Sequence, residues 1–269
     1  MSAANCLLRS QFPTQNGLQD TCRLKQRGIW SSTPDRFVQI IHVSSDHWAC
    51  LSNKFSSLGH VDLFDSMHTV PVEDGTICTQ VCSILQTPKP TISTSVVNVG
   101  HQEGTSDCGL FAIAMAYDLC AGVDPVTREY VQSELRNHLH SCFNNKLLKP
   151  FPSTICNIEK RTLSTVTFNV YCKCRMPEGG KWMVCCDKCN VWYHEGCVPV
   201  PTEVRNDKWN KVPWQCPQCK EGTCTIKLYL LFIVPSSKIA SLECCIPIFK
   251  SINGSIFHTL SSPWQRSPN

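Results

Sequence analysis

Ser106-Asp107-Cys108-Gly109-Leu110-Phe111-Ala112-Ile113-Ala114-Met115-Ala116-Tyr117-Asp118-Leu119-Cys120 is the run on which the fold turns. From Gly109 onward it is too long and too rich in alanine for a strand. Its almost continuous apolar surface is that of a helix buried in a core. Upstream, Phe37 to Val43, His47 to Ser52, Val61 to Asp65 and Ser93 to Val99 are short β-branched or aromatic runs parted by turn-prone residues, which predicts sheet strands. Downstream, Asp124-Pro125 offers a cap and a first-turn proline. The residues Val131, Leu135, Leu139 and Phe143 then form the amphipathic stripe of a second helix. Strands with separate helices indicate an α+β domain.

The chain has 269 residues, 42% hydrophobic and 17% charged, a globular rather than disordered composition. The longest greasy runs, Leu110 to Tyr117 and Leu228 to Val234, stop at Asp118 and Pro235, short of the ~20 apolar residues a bilayer helix needs. Met1 to Gln15 carries no basic flank followed by an apolar core, so no secretory signal is read and an intracellular chain is expected. A formal charge of +4 from scattered basic residues gives no bulk grip on nucleic acid, and no direct sequence-specific nucleic-acid binding is expected.

Twenty cysteines are the outlier of this composition. Without a secretory signal, metal binding and catalysis come before disulfides. Eight of them fall between Cys172 and Cys219, whereas the first 150 residues hold theirs mostly singly, so two modules are implied. Residues 1–147 are expected to form the first module, 148–169 a linker, 170–221 the second module and 222–269 a tail. Lys149-Pro150-Phe151-Pro152-Ser153 and the polar run from Glu159 to Thr167 suggest the linker. The tail is left without a function: a partner-binding segment and a poorly ordered extension are both compatible with its composition.

Cys108 lies just ahead of the apolar helix, where the positive end of the helix dipole favours a thiolate. A nucleophilic cysteine needs a base, and His47 follows the turn Ser44-Ser45-Asp46 at the start of a strand. Asp65, at the end of Val61-Asp62-Leu63-Phe64, is placed to orient the imidazole, with Asp62 as the runner-up acid. Gln102 offers a side-chain amide to the oxyanion of an acyl intermediate. Taken together, His47-Trp48, Phe64-Asp65-Ser66, Gln102 and Asp107-Cys108-Gly109-Leu110-Phe111 resemble the ubiquitin-like-protein-specific cysteine peptidases, the family of SUMO proteases and the adenovirus endopeptidase. The resemblance extends to Phe12-Pro13 and Gly17-Leu18-Gln19 near the start and to Arg136-Asn137-His138-Leu139 near the end.

That resemblance implies a papain-like fold of the ubiquitin-like-protease type, with the family's chain order of histidine, acid, glutamine, cysteine. It makes Cys108 the nucleophile, His47 the general base, Asp65 its orienter and Gln102 the oxyanion donor. Trp48 would line a narrow channel for the substrate's small C-terminal residues. The implied reaction is peptide or isopeptide hydrolysis through a thioester, with a ubiquitin-like modifier or another protein as substrate. The family's N-terminal helix reads as short or missing in this sequence.

The second module spaces its ligand types as Cys172-x-Cys174, Cys186-x-x-Cys189, His194-x-x-Cys197 and Cys216-x-x-Cys219. Pairs this close suit tight knuckle turns that aim both ligands at one ion, and seven thiolates with one imidazole make two tetrahedral Zn2+ sites. The histidine comes fifth rather than fourth, which separates this order from that of a RING finger. With Tyr171, Met183-Val184-Cys185, Trp192-Tyr193 and Trp214-Gln215, the segment resembles a PHD finger. The resemblance implies alternating pairs: Cys172, Cys174, His194 and Cys197 on one zinc; Cys186, Cys189, Cys216 and Cys219 on the other. Cys185 is a spare. Family members that read methylated lysine use aromatics at Tyr171 and Trp192, with Met183, as a cage around the ammonium. The implied partner is a histone tail and the implied compartment the nucleus. A catalytically inactive chromatin-reading protein is the alternative, against which stands the presence of all four catalytic residue types.

Overall fold

The computed structural model describes residues 1–21, 31–43, 47–69, 75–156, 162–207 and 211–223. The turn read at Ser44-Ser45-Asp46 and almost all of the tail lie outside these residues. The described chain forms two compact units, residues 1–170 with 175–179, and residues 171–174 with 180 onward.

In the first unit the SDCGLFAIAMAYDLC run forms helix α3 (Cys108–Cys120), following α1 (Ser2–Gln11) and α2 (Gly75–Ile84). Six strands, β1 (Asn16–Gly17), β2 (Phe37–Val43), β3 (His47–Ser52), β4 (His60–Phe64), β5 (Thr91–Val97) and β8 (Thr162–Asn169), make one mixed sheet in the order β1-β2-β3-β4-β5-β8. Pairs β2–β3, β3–β4 and β5–β8 are antiparallel, and β1–β2 and β4–β5 are parallel. Because strand side chains alternate between faces, β2, β3, β4 and β5 each feed two cores. Val38 and Ile40 of β2, Cys50 of β3 and Phe64 of β4 pack with α3 and with α1 residues Ala4 and Leu8. Phe37, Ile41, Ala49, Leu51, Val61 and Leu63 pack on the other face with Ile77, Val81 and Ile84 of α2. Helix α3 is apolar on nearly every side and sits on β2 and β3, as a core helix must. The α+β class expected from the pattern is the class observed.

Of the two alternatives for the N-terminal helix, short or missing, the second is overturned, and two further expectations are corrected. The N-terminal helix is present as the ten residues of α1, seated by Ala4 and Leu8 in the core and by Asn5, whose Nδ2 donates to Leu18 O at 2.8 Å. Asp124-Pro125 does not open the second helix: Asp124 Oδ1 accepts the Val126 N–H at 3.1 Å and caps only a 3-10 turn, Pro125–Thr127. Strand β6 (Arg128–Tyr130) follows and pairs with β7 (Ser153–Ile155), and α4 (Gln132–Asn144) starts only afterwards. The stripe of Leu135 and Leu139 is buried there as expected. The stretch 148–169 is not a free linker. Leu148 and Phe151 are buried in the first core, and Thr162–Asn169 runs the length of β5 as β8, with Ser93 and Ser95 hydroxyls bonded to Thr167 and Thr165. The polarity of β8 misled the linker reading: it is an edge strand whose side chains are mostly exposed.

The second unit is built on a two-stranded ladder, β9 (Met183–Cys185) against β10 (Trp192–His194), with short helices α5 (Thr202–Arg205) and α6 (Pro217–Lys220). Its core holds Val184, Tyr193, Val198, Val204 and Trp214 among the cysteines, and Tyr193 meets Trp214 edge to face at 5.7 Å. No helix among the described residues is long and apolar enough to cross a membrane.

Candidate catalytic and metal-binding sites

His47 is the first residue of β3, and the next strand ends one residue before Asp65. His47 Nε2 lies 2.6 Å from Asp65 Oδ1, and Asp65 is fully buried while His47 is 13% exposed. An ionised carboxylate only accepts, so Nε2 carries the proton of this bond, and in the neutral imidazole it is Nδ1 that keeps the lone pair. His47 Nδ1 is buried and has no hydrogen-bond partner. Asp65 is itself fixed by the backbone N–H groups of Met67 and Thr69, each donating at 2.9 Å to one of its oxygens. Asp62 is engaged elsewhere, accepting from Ser56 Oγ at 2.7 Å and lying 3.6 Å from His60 Nε2.

Cys108 is the first residue of α3 and is 5% exposed. The two halves of the site meet through its neighbour. A Cβ on Gly109 would lie 3.7 Å from Trp48 Cδ1, so the residue that follows His47 packs beside the residue that follows Cys108. Trp48 is half-buried against the first core and meets His42 edge to face. Gln102 is buried. Its Oε1 accepts from Ser66 Oγ at 2.7 Å, its Nε2 donates to Gly104 O at 2.9 Å and its backbone N–H donates to Ser66 O. Ser66, the residue next to Asp65, therefore holds the amide, a link that sequence reasoning missed. The motif Phe64-Asp65-Ser66 held the signal, but a lone serine has no spacing that announces its partner.

Other thiols of this unit are built differently. Burial pushes the Cys120 thiol up to about 12, and the same burial, with nearby Cys78, pushes Cys82 to about 12. Cys82 is buried and Cys120 half-buried against the core, and both stay protonated at neutral pH.

In the second unit the ligand atoms of Cys172, Cys174, His194 and Cys197 lie within 4.8 Å of one another, and so do those of Cys186, Cys189, Cys216 and Cys219. The pairing is the alternating one. Zn–S bonds of about 2.3 Å in a tetrahedron require sulfurs about 3.8 Å apart, and Cys189 Sγ and Cys216 Sγ are 4.0 Å apart. His194 Nδ1 faces Cys174 Sγ at 3.2 Å. Both groups thus have the donor set and spacing of a zinc site. Around the first group, Trp192 pairs with Cys185 across the ladder and Met183 with His194, which sets Trp192, Met183 and Cys185 on one face of the hairpin. Tyr171 joins them edge-on to His194 at 6.5 Å, and the backbone N–H of Cys172 donates to Trp192 O. Tyr171 and Trp192 are half-buried, whereas Tyr193 and Trp214 are buried packing residues.

Residues 172–219 match the family model described as PHD-finger. The chain is 44% identical over 52 residues to the Set1 complex component spp1 of Schizosaccharomyces pombe, covering 19% of this chain and 12% of that protein. It is 35% identical over 54 residues to the COMPASS component SPP1 of Saccharomyces cerevisiae, covering 20% and 14%. The match to the nucleosome-remodeling factor subunit NURF301 of Drosophila melanogaster is 28% over 109 residues, covering 39% of this chain and 4% of that protein. The chain thus spans only a small part of these curated relatives. Among solved structures, the SUMO protease Ulp1 with its catalytic cysteine oxidised to a sulfenic acid is similar at 15% identity and a TM-score of 0.42, over 53% of this chain and 74% of that one. The Ulp1 protease domain in complex with Smt3, the yeast ortholog of SUMO, gives 15% and 0.39, over 53% and 73%. Model match, ligand order and ligand geometry agree for the second module: residues 172–219 are a PHD-type finger, carried on the same chain as an α+β unit.

Proposed function

We propose that the first unit is a cysteine peptidase or isopeptidase that processes or removes a ubiquitin-like modifier, and that the finger brings it to a histone tail in the nucleus. The observation that carries the enzymatic reading is the His47–Asp65 pair, which holds one imidazole nitrogen and leaves the other buried without a hydrogen-bond partner.

The chemistry follows from that tautomer. Nδ1 of His47 takes the proton of the Cys108 thiol, and Asp65 stabilises the imidazolium through Nε2–H. The sulfur adds to the scissile carbonyl carbon. The oxygen that becomes negative receives a hydrogen bond from the Gln102 carboxamide, and the buried position of that amide makes the bond worth more than it would be in water. Collapse breaks the C–N bond, the Nδ1 proton goes to the leaving amine, and a thioester remains on Cys108. Water then adds with Nδ1 as base, releasing the modifier's carboxylate and returning the thiol. Trp48, packed beside Gly109, would wall the approach to Cys108 and leave space for small C-terminal residues only.

In the finger, two Zn2+ ions would be held by the two four-ligand groups and would supply much of the folding free energy of a module with so small a core. Tyr171, Met183 and Trp192 would enclose a methylated lysine. An ammonium that keeps its charge but has lost its N–H donors is held better by aromatic faces than by water. The relatives named for the Set1 and COMPASS complexes support a chromatin partner.

The test of the enzymatic reading is turnover of C-terminal coumarin amides of a panel of ubiquitin-like modifiers. Wild type is expected to release coumarin from at least one of them, and Cys108→Ala and His47→Ala from none. A wild-type chain inert toward the whole panel would reject the reading.

A further inference from the structure

The loop between Gln102 and Cys108 joins the two groups that acyl transfer needs at a fixed separation: the carboxamide that meets the oxyanion and the helix turn that carries the sulfur. Glu103, Gly104, Thr105 and Ser106 are exposed, so core packing does not set the loop's shape. Helix α4 reaches it from the side. Gln132, in the first turn of α4, accepts the Glu103 N–H on Oε1 at 2.7 Å and donates from Nε2 to Glu103 O at 2.8 Å. Its Nε2 also donates to Asp107 Oδ2 at 2.9 Å. One turn further, Arg136 Nη2 pairs with Asp107 Oδ1. A single half-buried amide thus holds both backbone polar groups of the residue after Gln102 and the side chain of the residue before Cys108. It grips Glu103 as a neighbouring strand would, through one donor and one acceptor.

We propose that Gln132 is a positioning residue: it clamps the Glu103–Asp107 loop at both ends and so fixes the Gln102 carboxamide relative to the first turn of α3. The hydrogen bonds of Gln132 go to the loop, at Glu103 and Asp107. Its effect falls on the step in which the oxyanion forms and spares simple nucleophilicity of the thiol. The inference rests on the peptidase reading of the site.

The experiment uses the full chain and two rates. One is turnover of the modifier coumarin amides, which passes through an oxyanion. The other is alkylation of Cys108 by iodoacetamide, followed on the Cys108 peptide by mass spectrometry, which does not. Gln132→Ala is expected to lower kcat about thirtyfold with KM within about threefold, since small displacements of a catalytic group cost one to two orders of magnitude. Alkylation is expected to stay within about twofold of wild type. Gln132→Glu is the near-isosteric second variant. It keeps an acceptor for the Glu103 N–H but sets carboxylate oxygens against Glu103 O and Asp107, and the same loss of kcat is expected from it. Wild-type kcat in either variant, or alkylation slowed in the same proportion as turnover, would overturn the positioning role while leaving the peptidase reading intact. Absence of wild-type turnover overturns the peptidase reading itself, and the positioning role with it.

Discussion

At the scale of single residues, the site depends on which nitrogen of one imidazole is spoken for. Asp65 takes Nε2 of His47, and the carboxylate is held in place by two backbone N–H groups. Asp65→Asn is expected to lower turnover at least a hundredfold without unfolding the chain, because an amide at that position no longer selects the productive tautomer. Comparison of kcat in the two proteins, with a circular-dichroism melt as control, checks this. Residue type and chain order single out His47, Asp65, Gln102 and Cys108 as a set, and the one contact among them that the sequence anticipated and the structure contains is His47–Asp65. Ser66 and Gln132 were not, because a hydrogen bond that spans 36 residues, from Ser66 to Gln102, leaves no periodicity in the sequence. Thiol chemistry gives a second check. Cys82 and Cys120 are pushed to about 12, chiefly by burial. A thiol raised in this way stays protonated until the pH approaches that value, so both are expected to resist iodoacetamide at pH 8 in the folded chain. Their labelling at the rate of exposed Cys6 would contradict the burial described.

At the scale of elements, α3 was legible because a long apolar run has few alternatives, whereas β8 was not. An edge strand that faces solvent lacks the hydrophobic alternation by which strands are recognised, and Thr162–Asn169 reads as polar chain until β5 is beside it. Helix α2 was overlooked for a related reason: Gly75–Ile84 carries cysteine, threonine, serine and glutamine among its apolar residues, and its buried face emerges only against the sheet. The structural consequence concerns Val170, the residue after β8. It is buried in the second core, and its N–H donates to Pro90 O at 2.9 Å. Val170→Asp is expected to cost about 3 kcal/mol in urea unfolding of the first unit, as a charge placed in a core without a partner does. Indifference to that change would return this stretch to the status of a linker.

At the scale of the whole molecule, two units are stabilised by different physics, one by a sheet buried on both faces and the other by ligand groups within a small core. Ligand spacing made the finger legible almost residue by residue, since four close pairs of metal-binding side chains have few other uses. The aromatic face was legible only as residue types, and its reading is tested by Trp192→Ala. The substitution is expected to weaken binding of a trimethylated histone-tail peptide at least tenfold by calorimetry, and equal affinity would remove the cage. Metal analysis is expected to find two zincs per chain. Chelation should unfold the finger while the first unit keeps its cooperative urea transition. If Cys108 is a nucleophile served by His47, ubiquitin-like modifiers bearing a C-terminal electrophile should capture it, with the adduct mapped by mass spectrometry. A covalent adduct on Cys108 in wild type, absent in His47→Ala, is the expected result; a Cys108 left unmodified by every modifier in the panel, or labelled equally well without the imidazole, would contradict it.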